Sequence, residues 1–328
     1  MFFKPSVRRT WLQCMVLGAI GLAGQPGLAA AFPERPIKIV VPFAPGAGTD
    51  TMGRLVAGKL AELLKTPVVV ENRVGASGAL GAQAVAQSAP DGHTLLLNTS
   101  AIAIVPSLFA KLPYAPDSAF APIMLLGRAP NVAVVRADSP LKSAREFLAH
   151  AKSNPGKVAY GSAGNGTSTH LAAELLKSMA HMYVIHVPYR GASPLVTDLL
   201  AGQIDVGFGT LPSVAPFIAS GKLRALGVTS GKRSPLLLDV PTFAEAGVAG
   251  YQADVWYGIF AAAGTPVTVV NQLYGALKRA SETEAFRQRA RAEGLIVTLD
   301  PPEETARIVR AEIVKWRKVV KEQSIKMD

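Results

Sequence analysis

Cysteine and charged residues are both scarce in this chain of 328 residues. Its only cysteine, Cys14, lies close to the N-terminus, so the rest of the chain can form no disulfide and offers no thiol nucleophile. Charged residues make up 17% of the sequence and hydrophobic residues 49%, a composition that excludes an intrinsically disordered chain. Length and composition together predict a globular protein of about two domains.

Motifs that mark common enzymes and nucleotide-binding proteins are also missing. The sequence has no H-E-x-x-H zinc motif, no G-x-S-x-G nucleophile elbow and no G-x-x-x-x-G-K-[ST] phosphate loop. The five histidines, which have no metal-ligand spacing, are His93, His150, His170, His181 and His186. We therefore expect no metal, no cofactor and no catalytic residue. The absences favour a binding function over catalysis. Two alternatives to a binding protein stay open: an exported enzyme that acts on a small carboxylate, and an exported structural protein.

The first 31 residues have the layout of a cleaved export signal. Lys4, Arg8 and Arg9 precede an apolar run that is too short to span a membrane, and Ala29 and Ala31 form an A-x-A site. Cleavage after Ala31 would place the mature protein in the periplasm of a Gram-negative bacterium. The arginine pair also resembles a twin-arginine signal, so that route and the general secretion route both stay open.

Basic residues exceed acidic ones in the mature chain as well. Three of the 34 basic residues and none of the 23 acidic ones lie in residues 1–31, so cleavage lowers the formal net charge from +11 to +8. This excess suits acidic small molecules as ligands, and it is also what a generally basic, solvated surface would give. We expect no nucleic-acid partner, because the basic residues form no cluster interleaved with aromatic residues.

Short β-branched runs alternate with segments of helical spacing after the signal, which predicts an α/β fold with mainly parallel sheets covered by helices. Two similar strand, loop and helix units, which start at Ile37 and Val158, lie about 120 residues apart and indicate two lobes. Crossings near residues 130 and 251 predict a first lobe of residues 32–130 plus 252–328 and a second of residues 131–251. The cleft between the lobes is the expected binding site.

Two glycine-rich loops are the strongest candidates for ligand binding. Residues 42–50, PFAPGAGTD, and residues 162–170, SAGNGTSTH, each follow a predicted strand and enter a helix through small residues. Such a helix start leaves backbone amides open to a carboxylate. Taken alone, each loop also fits an ordinary helix start with a hydroxyl or carboxyl cap, such as Thr49 or Thr167.

Further motifs accompany these loops along the chain. They are NTS at residues 98–100, VPYRG at 187–191, AGQIDVGFGTLPS at 201–213, LRALGVTSGKRSPLLLDVPTFAEAGVAGY at 223–251 and WYGIFAAAGTP at 256–266. In this order, over essentially the whole mature chain, they resemble the Bug solute receptors, the periplasmic binding components of tripartite tricarboxylate transporters. The resemblance implies two Rossmann-like lobes that close over a small organic acid, a Venus-flytrap of the periplasmic binding protein type II-like class.

The resemblance also implies a set of ligand-binding residues. In the first lobe they are Phe43, Gly46, Ala47, Gly48, Thr49, Asp50, Asn98 and Ser100, and in the second Ser162, Asn165, Gly166, Thr167, Ser168, Tyr189, Phe208, Gly209 and Thr210. A receptor of this kind is expected to be a monomer that binds a small organic acid. Its partner would be a pair of membrane permease subunits or a sensor ectodomain, and both stay open.

Three departures from the family pattern bear on the ligand. Ala47 stands where a second glycine is common, and Gly209 and Thr210 stand where an aspartate or asparagine is common, which removes a polar side chain from the expected pocket. Arg128 lies near the first crossing, where the family is often uncharged. It would either pair with a second ligand carboxylate in the cleft or lie solvated at the surface.

Overall fold

The computed structural model describes residues 1–2, 32–45, 48–109, 111–292, 294–323 and 325. The predicted export signal, apart from Met1 and Phe2, lies outside these residues. None of the described helices is long and apolar enough to cross a membrane.

The described strands form two β-sheets. The first consists of β1 (Ile37–Val41), β2 (Val68–Asn72), β3 (Thr94–Thr99), β4 (Phe120–Ala129), β10 (Val255–Ala262) and β11 (Ile296–Asp300), in the order β11-β4-β10-β3-β1-β2. The second consists of β5 (Asn131–Arg136), β6 (Ala159–Ser162), β7 (Ile185–Pro188), β8 (Val206–Thr210) and β9 (Leu223–Val228), in the order β7-β6-β8-β5-β9.

Helices cover both sheets. They are α1 (Gly48–Leu64), α2 (Ala79–Ala86), α3 (Ala101–Leu108), α4 (Ala144–Ser153), α5 (Ser168–Ala180), α6 (Ala192–Leu200), α7 (Leu211–Ala219), α8 (Val267–Ser281), α9 (Glu284–Ala292) and α10 (Pro302–Glu322). Helix α4 illustrates the local signals: the Ser143 hydroxyl caps it by accepting from the Glu146 amide at 3.2 Å. It buries Ala144, Phe147 and Ala151, spaced so that they share one face.

Both sheets are mixed, which corrects the prediction of mainly parallel sheets. Strands β1, β2 and β3 are parallel to one another, as are β6, β7 and β8. Strand β10 is antiparallel to β3 and β4, β11 is antiparallel to β4, and β5 is antiparallel to β8 and β9. The sequence pattern missed β4, β10 and β11. Strand β10 reads VWYGIFAA without apolar-polar alternation, because most of its residues are buried within the first sheet.

The chain passes between the two sheets at two neighbouring places. Only Pro130 separates β4 from β5, and the return path leads from β9 to β10. Thr229 joins the two passages: its hydroxyl accepts from the Asn131 amide at 2.9 Å and donates to the Ala253 carbonyl at 3.0 Å. Its own amide donates to the Asn131 carbonyl at 3.0 Å, and its carbonyl accepts from the Ala253 amide at 2.8 Å. A single buried residue therefore ties both crossings together.

The predicted lobe division places all described strands of one sheet in one lobe and all those of the other sheet in the second, and it stays a prediction. Apolar side chains fill the space beneath each sheet, and α10 packs against α3 and β4 and also against α5. The C-terminal helix therefore contacts elements of both predicted lobes.

Candidate functional site

A cleft of about 740 Å³ lies between the two sheets. Its described lining residues are Phe43, Gly48, Thr49, Ser77, Thr99, Ala101, Ala129, Pro130, Ala163, Gly166, Thr167, Ser168, Thr169, Gly191, Ala192, Thr210, Pro212, Ser213, Val255 and Tyr257. They lie beyond the carboxyl ends of β1, β2, β3, β6, β7 and β8 and near the two crossings, and ligands bind at the carboxyl ends of strands in open α/β sheets.

Helix starts dominate this cleft. Among the described residues, the first turns of α1 and α3 line it on one side, and those of α5, α6 and α7 line it on the other. The first turn of a helix has backbone N–H groups without intrahelical partners and carries a partial positive charge. None of the described lining side chains is charged. The backbone dipoles of these helix starts can therefore attract a small anion even though no cationic side chain is among the described lining residues.

The first predicted loop contributes Phe43, Gly48 and Thr49 to the lining, whereas Gly46 and Ala47 lie outside the described residues. Asp50 has a different role from the predicted one, because its side chain is only 2% exposed and is not among the lining residues. Its carboxylate accepts from Arg54 Nε at 2.9 Å and from Asn72 Nδ2 at 2.9 Å.

Asn72 connects the Asp50 carboxylate to the backbone of the first predicted loop. Its Nδ2 also donates to the Phe43 carbonyl at 3.0 Å, and its Oδ1 accepts from Arg54 Nη2 at 3.1 Å. The Asp50 side chain therefore fixes the loop against β2 instead of facing the ligand space.

The second predicted loop contributes Gly166, Thr167 and Ser168 to the lining. Thr167 caps α5, and its hydroxyl donates to the Gly164 carbonyl at 2.7 Å. Asn165 is partly exposed and is not among the lining residues. Ser162 is fully buried behind the loop, where its hydroxyl accepts from the Gly164 amide at 3.2 Å.

A buried polar network supports this second loop from beneath. The His170 and His186 rings stack with centroids 4.0 Å apart, and His186 stacks on Tyr160 at 4.8 Å. His170 Nδ1 accepts from the Gly166 amide at 3.1 Å, so one imidazole directly contacts the backbone of the second predicted loop. His186 Nε2 lies 2.7 Å from the Ser162 hydroxyl. The sequence spacing of His186 argued only against a metal site and gave no sign of this arrangement.

Burial keeps both imidazoles neutral. It lowers the pKa of His170 from 6.5 to about 4, assisted by the nearby charge of Lys177, and it lowers the pKa of His186 to about 3. The Tyr160 hydroxyl donates to Glu174 Oε1 at 2.5 Å, and burial followed by the Glu174 charge raises the pKa of that phenol. A neutral His170 can accept from the Gly166 amide, whereas a protonated ring could not.

Other predicted residues lie behind the cleft surface. Asn98 and Ser100 are each 1% exposed and flank Thr99, which does line the cleft. Tyr189 donates its hydroxyl to Asp198 at 2.8 Å. Phe208 is a core residue whose ring contacts the Tyr160 and Phe243 rings.

At the end of β8, Thr210 lines the cleft and Gly209 does not. A Cβ at Gly209 would lie 2.6 Å from the Val214 side chain, so close packing against α7 requires glycine there. The predicted binding set as a whole stays a prediction.

Several lining residues were not predicted from the sequence. They are Ser77, Thr99, Ala101, Ala129, Pro130, Ala163, Thr169, Gly191, Ala192, Pro212, Ser213, Val255 and Tyr257. The starts of α3, α6 and α7 carried a usable signal, because each follows a strand within a few residues. No such signal marked Val255 and Tyr257 in the sequence, because they belong to strand β10, which was not predicted.

Arg128 is not among the described residues that line the cleft. Its positive charge acts on Asp254, a carboxyl group that is 7% exposed at the return crossing. Burial raises the pKa of Asp254 to about 6, while hydrogen bonding from Gln252 and the charge of Arg128 act in the opposite direction. A charged cluster therefore lies at the crossings and not in the ligand space.

Ser162 and His186 have the spacing of a nucleophile and base, but their surroundings do not suit catalysis. Ser162 is 0% exposed and neither residue lines the cleft, so a substrate there could not reach the hydroxyl. Among the described residues, no group of three or more His, Cys, Asp or Glu side chains is arranged to hold a metal ion.

Comparison with protein families matches residues 52–325 to the tripartite tricarboxylate transporter family receptor. A protein from Pseudomonas sp. (strain P51), described as the UPF0065 protein in the tcbD-tcbE intergenic region, is 40% identical over 293 residues, which cover 89% of this chain and 87% of that protein. Protein BugT from Bordetella pertussis is 35% identical over 313 residues, covering 95% of this chain and 96% of BugT.

Solved structures give the same relationship. The protein Rpa4515 from R. palustris, solved with adipate, has a TM-score of 0.78 and 33% identity, covering 90% of this chain and 99% of that one. MatC from Rhodopseudomonas palustris, solved with bound malate, has a TM-score of 0.74 and 35% identity, covering 88% of this chain and all of that one. The predicted two-lobed α/β fold class is confirmed by these structures.

Proposed function

Because the chain belongs to the tripartite tricarboxylate transporter receptor family, as the Bug-like motifs predicted, we propose that it is a periplasmic receptor for a small organic acid. The acid binds in the cleft between the two lobes and leaves chemically unchanged. The receptor then presents its closed form to membrane permease subunits or to a sensor ectodomain.

The convergence of helix starts from both sheets on one uncharged cleft carries this proposal. An anion placed there receives stabilisation from several partial positive charges at once, and each such interaction contributes about 0.3–1 kcal/mol or more when partly buried. Related structures are described with adipate and with malate, both of which are carboxylates. An organic acid is therefore the ligand class that the site supports best.

We assign the ligand contacts in two layers. The residues proposed to face the ligand are Phe43, Gly48, Thr49, Gly166, Thr167, Ser168 and Thr210. The predicted residues proposed to shape the cleft from behind are Asp50, Asn98, Ser100, Ser162, Asn165, Tyr189, Phe208 and Gly209. Gly46 and Ala47, which lie outside the described residues, stay predicted ligand contacts.

Closure is proposed to occur about the two crossings. A ligand that contacts both lobes binds the closed form more tightly than the open form, and this differential affinity shifts the equilibrium toward closure. Thr229 and Pro130 lie where the chain passes between the sheets, so they are the expected hinge residues.

Ligand binding can be tested by thermal shift and calorimetry on the mature chain. We would screen adipate, malate, citrate, glutamate, benzoate and glucose, and titrate the most stabilising compound. An acid at one hundred times its Kd should add about 2.7 kcal/mol, a rise of a few degrees in Tm. Stabilisation by glucose alone, or by none of these compounds, would contradict the proposal.

A negative charge added at the start of α1 tests the site itself. Gly48→Asp places a carboxylate in the cleft lining and should weaken binding of the screened acid at least tenfold. Gly58→Asp is the matched control, because Gly58 lies in the same helix, is exposed, and has open space around its Cβ position. Equal affinities of the two variants would remove the first loop from the site.

The alternative of an exported enzyme predicts a changed ligand. Mass spectrometry of the bound acid after prolonged incubation with the mature protein should recover the starting compound. Turnover that disappears in Ser162→Ala would favour the enzyme and would single out the Ser162 and His186 pair.

A further inference from the structure

Building on the proposed function, we infer that the preferred ligand is a carboxylic acid with one charged group and an apolar body. The expected body is an aromatic ring or a chain of comparable size. Short di- and tricarboxylates and amino acids are expected to bind less tightly. The inference depends on which groups the cleft offers and which are already engaged elsewhere.

The first step is the charge of the lining. All the described lining residues are uncharged. A carboxylate at the α1 helix start is compensated by backbone dipoles. A second carboxylate on the same ligand would lose water without gaining a lysine or arginine partner, which is unfavourable in a closed cleft.

The second step is that two charged side chains on helices that begin at the cleft, one on α1 and one on α5, are engaged with neighbouring carboxylates. Arg54 donates to Asp50 and Asn72 at 2.9 and 3.1 Å. Lys177 donates to Glu174 at 2.7 Å, beneath the second loop. A ligand ammonium would likewise find no carboxylate in the lining, and this argues against amino acids.

The third step concerns the backbone donors of the second lobe. The loop before α5 uses its amides internally: Ala163 donates to the Thr169 hydroxyl at 3.0 Å, Gly166 to His170 Nδ1 at 3.1 Å and Thr167 to the Gly164 carbonyl at 3.3 Å. These amides cannot also bind a second carboxylate without breaking loop contacts. The loop before α5 therefore offers no free amide at these three positions, and the far end of the ligand meets lining hydroxyl groups, apolar atoms and the first turns of α5, α6 and α7.

The fourth step is the apolar surface. The Phe43 and Tyr257 rings line the cleft together with Pro130, Pro212 and Val255, and alanines fill much of the remaining wall. Aromatic and proline side chains contact ring faces and aliphatic chains with little loss of rotamer freedom. A cleft of about 740 Å³ also offers more room than a four-carbon acid needs.

Matched ligands test the inference by calorimetry on the mature chain. The first pair is 4-methylbenzoate and terephthalate, which differ by a second carboxylate, and 4-(aminomethyl)benzoate adds an ammonium to the same ring. The second pair is heptanoate and adipate. We expect the singly charged member of at least one pair to bind ten or more times tighter than its doubly charged partner.

A binding site for a second carboxylate can also be built. Thr210→Lys places a cation at the lining on the second lobe and should improve the terephthalate to 4-methylbenzoate affinity ratio at least threefold. Ser220→Lys, at the exposed opposite end of α7, is the control and should leave that ratio unchanged.

The outcomes separate this inference from the proposed function. If terephthalate, adipate, malate or 4-(aminomethyl)benzoate binds as tightly as the best singly charged acid, the inference is wrong and the receptor proposal stands. If none of these acids binds, the receptor proposal is wrong, and the inference fails with it. A tenfold preference for a singly charged acid, together with the Thr210→Lys shift, supports both.

Discussion

Acidification should destabilise the protein through the buried pair of His170 and His186. Each imidazole has an ordinary pKa of 6.5, which burial lowers to about 4 in His170 and about 3 in His186. The unfolded chain therefore binds protons at a pH where the folded chain does not. The stability that depends on the neutral rings is complete above pH 6.5, and it decreases as the pH falls toward the folded pKa values.

The size of the effect follows from the pKa of His170. One pKa unit corresponds to about 1.4 kcal/mol, and at pH 5 the unfolded imidazole is charged while the folded one is mostly neutral. Between pH 7 and pH 5 the free energy of unfolding should decrease by about 2 kcal/mol from this residue alone. For a chain of this size that is a fall of about 4 °C in Tm. His186 adds a contribution of the same sign.

Urea unfolding at pH 7, 6 and 5 measures this decrease, and a non-titrating variant isolates it from the carboxyl groups of the chain. His170→Gln should be less stable than the unmodified protein at pH 7, because the stacked ring is lost. Between pH 7 and pH 5, the decrease in its free energy of unfolding should be about 2 kcal/mol smaller than the decrease in the unmodified protein. His150→Gln, on the exposed side of α4, is the control and should keep the full decrease.

The titratable groups that face the pair are Tyr160, Glu174 and Lys177. If His170→Gln loses as much stability on acidification as the unmodified protein, the buried imidazole is not the source of the effect. The reasoning from burial would then be refuted.

Two further predictions concern the crossings between the sheets. Burial raises the pKa of Asp254 from 3.8 to about 6, so the stability that depends on the neutral carboxyl group is complete below pH 3.8 and is lost as the pH rises through about 6. Asp254→Asn should therefore change Tm more favourably at pH 8 than at pH 5, and an equal change at both pH values would speak against the raised pKa. Thr229→Val leaves the Asn131 amide without its hydroxyl acceptor and should cost about 1–3 kcal/mol in urea unfolding. An unchanged urea midpoint would show that this hydrogen bond does not hold the crossings.

Much of the fold could be predicted because its signals are local. The strands that precede α1 and α5 and the glycine-rich loops after them were visible in composition and spacing. The helices that the loops at residues 42–50 and 162–170 were predicted to enter begin at Gly48 and Ser168. The family resemblance is confirmed by the family match and by BugT. The strand directions could not be predicted in the same way, because β10 joins the first sheet only after the chain has returned from the second sheet.

The candidate site shows the same limit residue by residue. The family resemblance implied Asp50 as a ligand contact, yet its carboxylate accepts hydrogen bonds from Arg54 and from Asn72, which lies 22 residues later in the chain. Phe208 was expected to line the pocket, and its ring packs in the core instead. Partners at such separations leave no periodic trace in the sequence, so local reasoning places a side chain on the right element without knowing what it contacts.

The amino-acid sequence by itself determined the alternation of strands and helices, the two small-residue helix starts and the family, because each depends on neighbouring residues or on motif order. Only the tertiary structure decided that five described helices begin at one uncharged cleft, that His170 and His186 stack beneath its second loop, and that Thr229 ties the crossings together. These features arise where segments distant in the chain meet. Their physical cause is the competition for buried hydrogen-bond partners, which is settled only when the whole chain has packed.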